Sequence, residues 1–152
     1  LGGGLGLLLG GDGDVNSIFS AFGTAMYEPH QNVAARVNLG LATLSAVHDR
    51  AAGDTGGDVR WSFYLTGTVN PRIPIRGHYL GLNLGGGTVG WGGLTNVGLL
   101  WNPPWKKRFL DVEVGWQHLF AVHGDAGTRL GVALPEEEFD ANVGGLTLTF
   151  RR

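Results

Sequence analysis

The sequence contains no cysteine, which excludes disulfide frameworks, thiol nucleophiles and zinc sites built on thiolates. Charge is scarce: Asp, Glu, Lys and Arg make up 16% of the chain, against ~25% in ordinary soluble domains. The net charge of −2 offers no bulk attraction to nucleic acid, which is not expected as a partner. No apolar run reaches the ~18 residues of a transmembrane helix. The most apolar stretch, Leu1 to Leu9, lacks a basic flank and meets Asp12 too soon to be a signal peptide. A chain opening on Leu1 and not on Met is expected to have lost a leader or to stand without one.

Helix signals are also missing. Glycine, 28 of 152 residues, recurs every few positions and costs roughly 1 kcal/mol each relative to Ala in a helix. Without a G-X-Y period it does not indicate collagen. Period-2 alternation dominates instead. In 108–120, Leu110, Val112, Val114, Trp116, His118 and Phe120 share one face. Asp111, Glu113, Gly115, Gln117 and Leu119 share the other. Segments 59–70 and 33–47 alternate in the same way, and weaker strands are predicted at 1–9, 17–28, 76–86, 94–102 and 140–150. The last is given a bulge at Gly144–Gly145, which would bring Val143 onto the face of Leu146, Leu148 and Phe150. Residues 1–152 are thus read as one all-β domain of eight strands.

Connections alternate between two kinds. Proline turns are predicted at 28–31, 70–74 and 102–107, and loops rich in Gly and Asp at 10–16, 48–58, 87–93 and 121–139. An antiparallel up-and-down meander produces this alternation, because successive connections fall at opposite ends. Charge follows the same division. The proline-turn end gathers Arg72, Arg76, Lys106, Lys107, Arg108, Arg151 and Arg152 against Glu28. The other end is acidic, through Asp12, Asp14, Asp49, Asp54, Asp58, Asp125, Glu136, Glu137, Glu138 and Asp140 against Arg50 and Arg129.

Strand interiors hold only Arg36, Arg60, Asp111 and Glu113, all on polar faces and balanced in sign. A soluble barrel would carry many charges on that face; a sparse, neutral set suits a packed lumen, where an unpaired charge is costly. The apolar faces are then expected to meet lipid, giving an eight-stranded transmembrane β-barrel. Tyr27, Trp101, Trp105, Phe109 and Phe150 fall near one end, and Phe19, Trp61, Trp91 and Phe120 near the other. This placement matches two interfacial girdles.

On this architecture the chain resembles the small eight-stranded outer-membrane barrels of the OmpA and OmpX kind. Their C-terminal insertion signal, Gly-x-x-apolar-x-aromatic, has a counterpart in Gly145-Leu146-Thr147-Leu148-Thr149-Phe150, although Arg151 and Arg152 follow it and Val143 stands at an earlier polar position. The resemblance implies a bacterial outer-membrane location, outer-membrane lipid as partner, periplasmic proline turns and outward acidic loops.

Candidate chemistry is thin. Gly85, Gly87 and Gly90 satisfy G-x-G-x-x-G, but no helix follows to bind a dinucleotide. Asp12, Asp14 and Asn16 match the opening of a calcium loop, whose later glycine and glutamate positions are Ser17 and Gly23. No cofactor is expected; the one metal candidate is Ca2+ or another divalent cation shared with Glu136, Glu137, Glu138 and Asp140. His30, His48, His78, His118 and His123 show no paired metal spacing. The His-x-Ser pattern of lipid A deacylases, which share this barrel type, is missing: Leu119 and Phe120 follow His118. No catalytic residue is assigned, and the chain is read as a non-enzyme.

The lumen charges are expected to plug the barrel, and loops 48–58 and 121–139 to meet a surface partner. Two alternatives stand beside this structural or interactive role. One is a narrow conduit for small ions or apolar solutes, lined by Gly2, Gly4, Gly6, Gly40, Gly98 and Gly115. The other is a lipid-modifying enzyme using Ser45 and His48.

Overall fold

The computed structural model describes residues 1–13, 15–46, 59–90, 92–103, 110–123 and 138–151. Its strands are β1 (Gly2–Gly13), β2 (Val15–His30), β3 (Val33–Ala46), β4 (Val59–Ile75), β5 (His78–Val89), β6 (Gly92–Asn102), β7 (Leu110–His123) and β8 (Glu138–Arg151). Each pairs antiparallel with its sequence neighbours, and β1 pairs with β8 to close an eight-stranded up-and-down barrel. No helix occurs among the described residues.

The alternation sorts side chains as the pleat requires. Leu39, Leu65, Leu82, Leu99, Val114 and Leu146 point outward and are exposed. Their neighbours one position away point into the barrel. Leu99 is 65% and Val114 60% exposed, whereas Arg36 and Asp111 are each 2% exposed. Apolar side chains cover the outside while charge is buried, the reverse of a soluble barrel.

Two of the expected proline turns are strand instead. Pro29 lies within β2, and Pro71 and Pro74 lie within β4. Alternation continues through them: Asn70 and Arg72 are buried, and Pro71 and Ile73 are exposed. Pro71 stands opposite Val33 of β3, while the β4–β5 ladder has no recorded partners for Asn70 or Pro71. Proline's missing N–H interrupts the ladder there without ending the strand. The turn is two residues further on, at Arg76–Gly77, where φ is 46° and 87°. Positive φ at both central residues is the type I′ hairpin requirement, which suits the twist of the flanking strands.

β5 is likewise displaced from 76–86 and takes in Gly87, expected to open the loop 87–93. At Gly85 a Cβ would stand 2.7 Å from Thr68 Cα, and at Gly87 the same distance from Thr66 Cα. These glycines allow β5 to lie close against β4.

The expected bulge at Gly144–Gly145 is absent. The β1–β8 register runs without a break through Leu7↔Leu146, Leu8↔Gly145, Leu9↔Gly144 and Gly10↔Val143, and shifts only between Gly10 and Asp12. Val143 therefore points into the barrel and is fully buried. Gly145 serves close approach, since a Cβ there would stand 2.9 Å from Leu8 Cα.

The interior has two halves. Toward the Gly/Asp-loop end, Leu8, Ile18, Val89, Leu94, Leu119 and Val143 form an apolar cluster joined by Phe22, Ala42 and Tyr64. Toward the proline-turn end the buried side chains are mainly Asn, Thr, Arg, Asp and Glu.

Candidate functional site

Among the described residues, the polar half of the lumen holds the greatest concentration of buried charge. Arg36 stands on β3 and Asp111 on β7, four strands apart and so on opposite walls of the eight-stranded cylinder. Arg36 Nη2 donates to Asp111 Oδ2 at 2.8 Å, and Nη1 donates to Thr149 Oγ1 at 3.3 Å. The same guanidinium lies 3.9 Å from Glu113 Oε2. Asn102 Nδ2 donates to Asp111 Oδ1 at 2.7 Å and to the carbonyl of Leu110 at 2.8 Å. Asn96 Nδ2 donates to Glu113 Oε1 at 3.1 Å. Each carboxylate thus has an amide partner as well as the shared cation, which buried charges need. Gly98 makes room: a Cβ there would stand 2.8 Å from Glu113 Oε1.

A second buried cation lies nearer the proline-turn end. Arg72 donates through Nη1 to Glu28 Oε1 at 3.1 Å and through Nε to the carbonyl of Gln31 at 2.9 Å. Its guanidinium carbon lies 4.6 Å from the centre of the Tyr79 ring, a cation–π contact. Arg72 and Glu28 were expected among turn charges. Alternation carried through Pro71 is the signal that would have placed Arg72 inside.

Of the four expected lumen charges, Arg36, Asp111 and Glu113 meet. Arg60 stands opposite Leu44 near the other end of β4. Arg36 pairs with Thr68, eight residues further along that strand, or about 26 Å at 3.3 Å per residue. The Arg60 side chain lies outside the described residues.

The apolar half of the lumen was not expected. Its signal was present in adjacent apolar pairs that fill both faces of a strand: Leu7-Leu8 and Leu119-Phe120. Tyr64 joins the two halves. Its ring lies 6.0 Å from that of Phe22, and its hydroxyl accepts from Gln117 Nε2 at 3.4 Å.

Outside, Tyr27, Trp101 and Phe150 are exposed near the proline-turn end, and Phe19 and Phe120 near the other. Trp101 stacks on His78 at 6.3 Å, with its indole N–H 3.3 Å from Nδ1. His118 lies outward between Trp116 and Phe120, 6.1 Å from each ring, with Nδ1 at 2.9 Å from Asn142 Oδ1. Trp91 and Trp105, and the side chain of Trp61, lie outside the described residues.

The candidate cation loop falls largely outside them as well. Asp14, Glu136 and Glu137 are not described, nor are the side chains of Asp12, Asn16, Glu138 and Asp140. Loop 48–58 with His48, the side chain of Ser45, and positions 124–137 of loop 121–139 also lie outside. In comparisons, no family model, curated protein or solved structure matches the chain.

Proposed function

We propose that this chain is an integral protein of a bacterial outer membrane, a small barrel of the OmpA and OmpX kind with a structural or surface-interaction role. One observation carries the reading: the wall is apolar and exposed outside, while ion pairs are buried within. In water, that exterior would be an aggregation surface far larger than the few hundred Å² soluble monomers usually tolerate. In a bilayer it matches its solvent, and the closed ladder leaves no unpaired strand edge in hydrocarbon. The exposed aromatics at both ends suit the two interfaces.

The side chains that cross and line the lumen support a role in wall integrity or adhesion over one in solute flux, since an eight-stranded barrel holds its own side chains and at most small guests. Contact with a partner is assigned to the loops at the acidic end, and no catalytic role is assigned.

Partitioning tests the reading. The protein is expected to stay with the membrane after alkaline washing, to need detergent for extraction, and to migrate faster on gels unboiled than boiled. A folded protein that is monomeric in plain buffer would overturn it. If shortening loops 48–58 and 121–139 leaves surface binding by whole cells intact, the interaction role fails while the membrane reading stands.

A further inference from the structure

The two halves of the lumen differ in what they require. In the polar half, Thr24 Oγ1, Thr68 Oγ1, Asn70 Oδ1, Asn96 Oδ1, Asn102 Oδ1 and Gln117 Oε1 are buried without a partner in the protein. For Asn96 and Asn102 the amide orientation is set by chemistry. Their NH2 groups face the carboxylates of Glu113 and Asp111, which only accept. Their oxygens must therefore face away, and what they need is a donor. Leaving so many buried polar atoms dry would consume a large share of a domain's net stability.

The donor is best supplied by a neutral molecule. The carboxylates of Asp111 and Glu113 already hold Arg36 and the amides of Asn102 and Asn96, so what is still missing is an N–H or O–H donor for the amide oxygens. Water brings two donors per molecule and needs no counter-ion. In the other half, Leu8, Ile18, Val89, Leu94, Leu119 and Val143 are each 3% exposed or less and present no polar side-chain atom. Hydrophobic constrictions of this kind block ions because water does not wet them.

We propose that the lumen is a blind, hydrated chamber: water enters the polar half from the proline-turn end, and the apolar septum ends the path. The barrier to ions is this septum and not the Arg36–Asp111 pair that crosses the lumen. The proposal deepens the membrane reading. Its first test is made in detergent micelles, where it can fail independently of that reading.

In micelles, NMR exchange spectroscopy on the full chain is expected to show water cross-peaks at the side-chain amides of Asn96, Asn102 and Gln117. None are expected at the methyls of Ile18, Leu94 and Leu119. Dry amides or wetted septum methyls would overturn the proposal. In planar bilayers, wild type and Arg36→Ala are expected to give no resolvable current in potassium chloride. The pair Leu94→Ser and Leu119→Ser together is expected to give discrete conductance steps, with folding checked by the gel shift on boiling. Current through Arg36→Ala alone would place the barrier at the ion pair. A silent, folded double-serine variant would show that no continuous water path lies below the septum. Either result overturns the proposal, and if the double variant does not fold, the wild-type spectra still decide.

Discussion

Arg36 and Asp111, 75 residues apart in sequence, meet at 2.8 Å from opposite walls of the barrel. The bond is a strut across the diameter of the cylinder, and both side chains are almost wholly buried. Removing one partner strands the other. Arg36→Ala is expected to cost about 3–5 kcal/mol. Replacing both, as Arg36→Met with Asp111→Leu, should cost much less than the two single changes added together. Urea unfolding from lipid vesicles, followed by tryptophan fluorescence, measures the cycle.

The outer wall gives a second expectation. Val114 is among the most exposed apolar residues of β7, and with the wall in a bilayer, as proposed, Val114→Lys should cost roughly 2–4 kcal/mol at the midplane. A change near zero in the same unfolding assay would overturn the contact of this face with lipid.

Glycines divide into required and dispensable ones. At Gly67 a Cβ would meet nothing within 4 Å, so Gly67→Ala should be neutral or stabilising by about 0.5–1 kcal/mol. At Gly40 a Cβ would stand 2.6 Å from Phe22 Cα. Gly40→Ala must push β3 away from β2, at a cost of about 1–3 kcal/mol. Chemical denaturation of both variants side by side checks the contrast.

The Arg76–Gly77 turn places a long side chain at a φ of 46°, where Asn is far better tolerated. Arg76→Asn is expected to stabilise by up to about 1 kcal/mol, and Gly77→Ala to destabilise by about 1–2 kcal/mol. Midpoint shifts in urea read both.

Strand number, order and faces were legible because alternation in stretches such as Leu110–His118 is strict and only one face there is apolar. The ends of strands were less so. Pro71 and Pro74 look like turn residues, yet losing an N–H interrupts a ladder without halting the pleat. Val143 was misplaced because paired glycines suggest a bulge, whereas at Gly145 glycine answers crowding by the neighbouring strand. The apolar half of the lumen was hidden for another reason. Where Leu7, Leu8 and Leu9 follow one another, both faces are apolar and alternation falls silent. Of the central charges, Arg36, Asp111 and Glu113 were found from their shared polar face. Arg72, sheltered behind a proline, was not.

The seam between β1 and β8, running from Gly2↔Arg151 to Gly13↔Ala141, has a kinetic consequence. Every other ladder joins strands adjacent in sequence and can zip locally, whereas this one waits for the most distant segment to arrive. In the membrane proposed for this barrel, two raw backbone edges would until then face hydrocarbon, which does not tolerate them. On that reading, insertion and closure would be coupled into one late event. A nascent chain stalled before its final strand would accumulate as an unsealed intermediate, a natural client for a holdase, and would not settle as a narrower cylinder.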